Sequence, residues 1–372
     1  MKPSPWQVIL RVGAALLTTF LLTVAVILLA HGSPFLALRA VASGAFGSAY
    51  DFGNTLTRMT PLLLTGLGVA IAFRARLWNI GGEGQITMGA LAACALGAYS
   101  LHRLPALILL PLVLGGGAVA GAIWAGLAGW MRVWRGVPEV ISTIMLNFVA
   151  IDVLSYALHG PLQQRGADAL PGYAPPLPPA ATLSILVSGT PLHAGFLIAL
   201  LALVVVFLFL ERTPTGFAIR VVGANADAAR AAGLNVERTQ MTAMLWSGAL
   251  CGLAGAVELS GVVGTLFGEY QSGYGFTAVA VALLGRLNPG GIVLAALFFG
   301  GLTAGSETME SQAGISHNLV YVIQAIALLV LLAFQWVRWG QTGNFIRRVP
   351  VKEVSGGIEN TPRDRNHKEK LI

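Results

Sequence analysis

Long apolar runs, separated by short polar or basic stretches, constrain this chain more than any motif in it. They cover residues 8–30, 56–73, 86–101, 107–130, 140–158, 192–210, 241–263, 276–287, 292–305 and 319–336. A run of about 20 apolar residues crosses a bilayer as a helix, because only a helix satisfies its own backbone polar groups where water is absent. Composition agrees: 10% of residues are charged and 55% hydrophobic, whereas soluble domains carry about 25% charged residues. A water-soluble globule is excluded. The expected fold is an all-α, polytopic membrane bundle of about ten transmembrane helices. Residues 276–287 are too short for a straight span and are expected to form a half-helix or re-entrant segment. The first run is longer than a secretion-signal core and reads as an uncleaved span.

Orientation follows from the basic residues. With the amino terminus inside, alternating spans leave only Arg39, Arg58, Arg103 and Arg165 of the 23 Lys and Arg outside, so both termini are expected in the cytoplasm. The net charge of +7 then reflects orientation and not affinity for nucleic acid, since the arginines sit at span boundaries. Residues 159–191 fall outside and hold seven prolines, too many for a helix, and read as a connector. Residues 1–351 make up the expected transmembrane domain, with 212–240 as a cytoplasmic loop. Residues 352–372 have the composition of a disordered cytoplasmic tail with no role in transport.

The Gly pairs 117/121, 248/252 and 301/305 support close helix packing within the bundle and not a dimer site. Cys94 and Cys251 lie in apolar runs and build neither a disulfide framework nor a metal cluster. The six histidines are scattered without a catalytic motif, so a membrane enzyme is not expected.

Two polar stretches carry the functional information. In residues 223–233, GANADAARAAG, Asn225 can cap a helix over 226–232, Asp227 suits its amino end, Arg230 its other end, and Gly233 supplies a left-handed stop. A rigid two-turn helix between membrane spans is what a transport domain needs if mechanical work arrives from another protein. The chain has no nucleotide-binding loop of its own: its only lysines are Lys2, Lys352, Lys368 and Lys370. In residues 78–90, WNIGGEGQITMGA, glycines at 81, 82 and 84 weaken the helix and free backbone groups that must face protein or water. Glu83 within it is costly unless partnered, and a gate or a structural turn paired to Arg74 or Arg76 at the cytoplasmic edge is favoured over direct substrate contact.

These stretches resemble the permease subunits of bacterial ATP-binding cassette (ABC) importers of the branched-chain amino acid, sugar and nucleoside class. DAARAAG at 227–233 is similar to that family's EAAxxxG coupling loop, with Asp227 in place of Glu and Ala226 where Pro is common. NIGGEGQ at 79–85 is similar to the NIGxEGQ segment of nucleoside-type permeases. The resemblance covers about residues 55–339 and implies that Gly223, Asn225, Asp227, Ala228, Ala229, Arg230 and Gly233 couple to an ATPase. It implies a multi-pass protein of the inner membrane, a second permease subunit, an external substrate-binding lipoprotein and a nucleoside, purine-like or sugar cargo. This chain would bind no cofactor, with ATP and Mg on the cytoplasmic ABC ATPase, and its contacts would be with membrane lipid and not nucleic acid.

Asn79, Gly82, Glu83, Gln85, Asn147 and Asp152 are candidates for the translocation path or gate. Glu139, Thr143 and Asn147 share one helix face suited to a polar path, while Asp152 points elsewhere. Glu258 lies near the external end of its span, where water can reach it. The alternative is a secondary transporter driven by an ion gradient, with Asp152 and Glu258 carrying protons.

Overall fold

The computed structural model describes residues 5–101, 103–166, 169–268, 270, 272–316, 318–326, 329, 330 and 333. Regular structure among them is helical, apart from two isolated β-bridges, Tyr173 with Phe267 and Ile185 with His193. The α-helices are α1 (Pro5–Leu29), α2 (Pro34–Phe46), α3 (Ala49–Arg74), α4 (Gly82–Cys94), α5 (Ala106–Arg135), α6 (Glu139–Leu158), α7 (Gly195–Arg212), α8 (Pro214–Ala224), α9 (Ala226–Ala231), α10 (Val236–Glu258), α11 (Tyr274–Leu284) and α12 (Pro289–Ala313). Helix α4 runs on as a π-helical turn over Ala95–Ser100, and α10 as another over Leu259–Val263.

Among the described residues, six helices are long and apolar enough to cross a membrane: α3, α5, α6, α7, α10 with its π-turn, and α12. A seventh span is added if Leu17–Leu29 and Pro34–Phe46, bent by 113° at the break over residues 30–33, count as one. The all-helical expectation holds, while the count of about ten is not reached: the described residues give six or seven candidate spans. The difference has local causes. Residues 86–101 belong to a helix that starts part-way through the bundle, α11 has only 11 residues, and residues 319–336 are described only in part. The tail, residues 352–372, lies outside the described residues.

Helix α3 is the axis of the bundle: 83% of its apolar window is buried, against 22–33% for α5, α6 and α7. Leu62, Leu63, Leu64, Leu67 and Ile71 are fully enclosed, whereas Val119, Ile123, Phe148, Leu201 and Val204 are exposed. An inward-packed axis with apolar outer helices is the arrangement lipid permits. Helices α5 and α10 meet through the paired glycines: a Cβ on Gly121 would collide with the Gly248 carbonyl, and one on Gly252 with that of Gly117. Gly305 lies equally close to Val41 of α2. These small-residue contacts lie within the chain and let helix backbones touch.

The Pro-rich stretch 159–191 is not a loose connector. Ala174, Leu177 and Ala181 are fully or nearly buried, and the amides of Ala174, Leu177 and Leu183 donate to the carbonyls of Leu266, Gly264 and Ser260 at 2.9, 2.9 and 2.8 Å. The prolines leave few donors to satisfy, and the π-turn ending α10 with the residues that follow it supplies acceptors for these three.

Candidate functional site

After Arg74 the chain doubles back. Residues 75–81 run beside α3 until Gly82, whose Cβ position lies 3.3 Å from Thr65 Cγ2. Thr65 is nine residues before Arg74, or about 14 Å along the helix, so α4 begins deep inside the bundle and not at its edge. Helix α11 also begins there: a Cβ on Gly275 would lie 2.5 Å from the Glu83 Cα, closer than real Cβ atoms come to other heavy atoms. Two half-length helices therefore meet amino end to amino end.

Glu83 joins them. Its carboxylate accepts from the Ser272 hydroxyl at 3.0 Å, the Gly273 amide at 2.8 Å and the Gly275 amide at 2.8 Å, while the residue is 3% exposed. Two of the three donors are amides at the start of α11, otherwise unsatisfied, where the helix dipole also favours negative charge. The expected pairing with Arg74 or Arg76 does not occur, because Glu83 is most of a half-helix away from that end of α3. Arg74 instead donates to the Leu287 carbonyl at 2.9 Å and pairs with Glu211 at 3.1 Å.

Side chains saturate the returning backbone. Asn79 donates to Gln85 at 3.0 Å and to Ser247 at 2.8 Å, accepts from Gln85 Nε2 at 2.9 Å, and accepts from the Gly81 amide at 3.0 Å. Asn147 of α6 accepts from the Gly84 amide at 2.8 Å and donates to the Ile80 carbonyl at 3.0 Å. Glu139 accepts from the Trp78 amide at 3.3 Å while paired to Arg132 at 3.1 Å, and Thr143 accepts from the Ile80 amide at 3.4 Å. Glu139, Thr143 and Asn147 do share one face, but that face braces a broken backbone and is not a free polar path. All are buried, as unsatisfied amides and carbonyls in an apolar bundle would be costly.

Of the sequence candidates, Asn79, Gly82, Glu83, Gln85 and Asn147 converge at this junction. Asp152 does not: it is exposed on α6, two residues before the buried Leu154 and near exposed Phe148, Val149 and Tyr156. Glu258, expected to be wetted, is only 4% exposed. Ser247, Ser272 and Gly273 were not singled out from the sequence. Their spacing carries no signal, since they reach the site only through the approach of α10 and α11 to α4.

The second region lies at the other end of α3. Helix α9 forms with Asn225 as its cap, whose side-chain oxygen accepts from the amides of Asp227 and Ala228 at 3.0 and 3.1 Å. Gly233 follows at φ +84°, and the Leu234 amide closes back on the Ala229 carbonyl at 3.0 Å. An additional helix, α8, precedes it, capped by Thr213, whose hydroxyl accepts from the Gly216 amide at 3.0 Å. Ala229 is buried with Val222 and Val236, while Asp227, Ala228 and Arg230 are exposed. Arg230 pairs with Glu237 at 2.8 Å. The helical hairpin is seated on the bundle at Gly223, where any Cβ would collide with the Arg74 carbonyl. Arg220 adds a bond to the Leu210 carbonyl and pairs with Glu211 at 3.1 Å. The sequence candidates 223–233 therefore form one small unit tied to the end of α3, whose Arg74 in turn holds the Leu287 carbonyl just past α11.

Residues 52–333 match the family described as branched-chain amino acid transport system, permease component. The chain is 37% identical to the glucose ABC transporter permease protein TsgB13 of Haloferax volcanii, over 87% of this chain and 89% of that one. It is 36% identical to the guanosine ABC transporter permease protein NupP of Bacillus subtilis, over 81% and 86% of the two chains. It is 35% identical to the nucleoside ABC transporter permease protein NupB of Lactococcus lactis subsp. cremoris, over 84% and 87%.

Proposed function

The chain belongs to the branched-chain amino acid transport system permease family, as a multi-pass transport subunit of the cytoplasmic membrane and not an enzyme, and from that premise we propose that it imports a nucleoside or a sugar by alternating access driven by a separate ATPase. The observation that carries the mechanism is the seating of the α8–α9 hairpin on the base of α3. Asp227, Ala228 and Arg230 present an exposed face of α9 that a cytoplasmic ATPase pushes when ATP and Mg close it. The push travels through the Gly223–Arg74 contact, and Arg74 hands it to α11 through the Leu287 carbonyl. Helix α11, about 16 Å long, ends at Glu83. A tilt of α11 then acts directly on the junction with α4, so Asn79, Gly82, Glu83, Gln85 and Asn147 serve as hinge and gate. Only a differential contact in the two states moves such an equilibrium, and the ATPase supplies it.

The remaining partners follow from this reading. An external binding lipoprotein delivers the solute, and a second permease subunit completes the path. Asp152, which would be costly against lipid, faces that second subunit. The positive-inside bias supports α9 and both termini on the cytoplasmic side. Glucose, guanosine and nucleoside in the relatives' names point to the solute class.

Reconstitution of the chain with its ATPase, second permease and binding lipoprotein in liposomes tests the proposal. ATP-dependent accumulation of guanosine or glucose is expected. Transport by the isolated polypeptide on a pH gradient without ATP would overturn it and restore the ion-coupled alternative.

A further inference from the structure

Between α3, the start of α11 and the second half of α12 lies a cavity of about 160 Å³ that borders the gate at Ser272 and Gly273 and lies apart from the coupling hairpin. Its wall includes Arg58, Ser272, Tyr274, Thr277, Glu307 and Tyr321. Polar groups turned to one space inside a spanning bundle are costly unless that space is wet or occupied. Arg58 pairs with Glu307 at 2.7 Å and donates to the Tyr274 hydroxyl at 3.3 Å, while its buried Nε has no hydrogen-bond partner. The guanidinium is therefore one acceptor short. Glu307 keeps 54% of its side chain exposed and retains acceptor capacity. Guanidinium and carboxylate cancel in charge, so an ionic guest gains nothing from one without opposing the other.

We infer that this cavity binds the solute through a neutral, polyhydroxylated ring, the moiety a free sugar and a nucleoside have in common. The inference rests on the importer reading above. Ring hydroxyls both donate and accept, which satisfies an ion pair with a spare donor on one side and spare acceptor sites on the other. The rings of Tyr274 and Tyr321 offer apolar surface to the carbon face of such a ring. A cavity of about 150 Å³ takes one six-membered ring, so this volume matches the scale of one sugar ring and falls short of a whole nucleoside. Ser272 links the cavity to the gate, since its hydroxyl holds Glu83. An occupant thus touches Ser272, which holds the carboxylate that joins α4 to α11.

The test uses the assembled transporter without nucleotide, carrying either Thr277→Cys or Ser306→Cys; Ser306 also lines the cavity. The native Cys94 and Cys251 are buried and give a low background. Each variant is labelled with a hydrophilic methanethiosulfonate in the presence of saturating guanosine, glucose or free guanine. Labelling at least five-fold slower with guanosine or glucose, and unchanged with guanine, is expected. Protection by guanosine alone identifies a nucleoside as the source of the ring, and protection by glucose alone a free sugar. No protection, equal protection by guanine, or no labelling at either position overturns the assignment. Uptake by the wild-type assembly separates the two proposals: no ATP-dependent uptake of either solute class refutes the importer reading, whereas uptake with unprotected cysteines refutes only the cavity.

Discussion

Glu83→Gln isolates the bond that joins the two half-helices. The carboxylate accepts three hydrogen bonds within 3.0 Å and has no cationic partner among the described residues, so its charge is held by amides, a hydroxyl and the α11 dipole. Glutamine keeps the shape but turns one acceptor oxygen into a donor, facing the Gly275 amide or the Ser272 and Gly273 pair. Leaving a buried donor unsatisfied costs about 1–3 kcal/mol. Removing a partly buried negative charge from a helix amino end costs up to about 2 kcal/mol more. The expected loss is about 1–5 kcal/mol, read as a fall of several degrees in the thermal unfolding of the detergent-solubilised assembly, together with loss of ATP-driven uptake. Combined with Arg74→Gln, the effect on stability should be additive within about 0.5 kcal/mol, because the two side chains share no partner. A shift below about 2 °C, under roughly 1 kcal/mol for a domain of this size class, or strong coupling between the two positions, would refute the junction as described.

Gly275→Ala forces the two helix starts apart where backbone meets backbone, with no flexible side chain to yield; a loss of about 1–3 kcal/mol or more and impaired uptake are expected, measured by thermal unfolding and transport. Gly233→Val meets nothing within 4 Å but imposes a β-branched residue at φ +84°, costing about 1–3 kcal/mol locally. Membrane insertion should stay normal while substrate-stimulated ATP hydrolysis falls, and unchanged stimulation would remove α9 from the coupling path. His193, just before α7, has its pKa pushed down to about 4 by burial. With a folded value below the unfolded one of 6.5, stability is full above pH 6.5 and declines by about 3 kcal/mol as pH falls to 4. His193→Phe should flatten that decline in unfolding measured across the range, and an unaltered slope would assign it to other groups.

Much of this was legible in the chain because its signals are local. Apolar runs specify helices in lipid, Asn225 and Gly233 are start and stop residues whose geometry depends on their own backbone, and three glycines in 81–84 break a helix wherever it lies. Helix α8 was not anticipated, although Thr213-Pro214, a capping residue followed by proline in the first turn, is a local signal for it. The number of full spans was less so, since an apolar run reads the same whether its helix starts at the membrane edge or half-way through.

The partner of Glu83 was decided only by tertiary structure. Arg74 and Arg76 are its nearest cations in sequence, yet the return of residues 75–81 carries Glu83 about 14 Å from the end of α3 and delivers it to amides almost two hundred residues away. The face of Glu139, Thr143 and Asn147 was readable as a stripe, but not its task, because the backbone it braces belongs to another helix. Local backbone preference is written in consecutive residues. Which buried polar group satisfies which other is decided by the packing of distant elements, where every amide left over from a broken helix must find an acceptor.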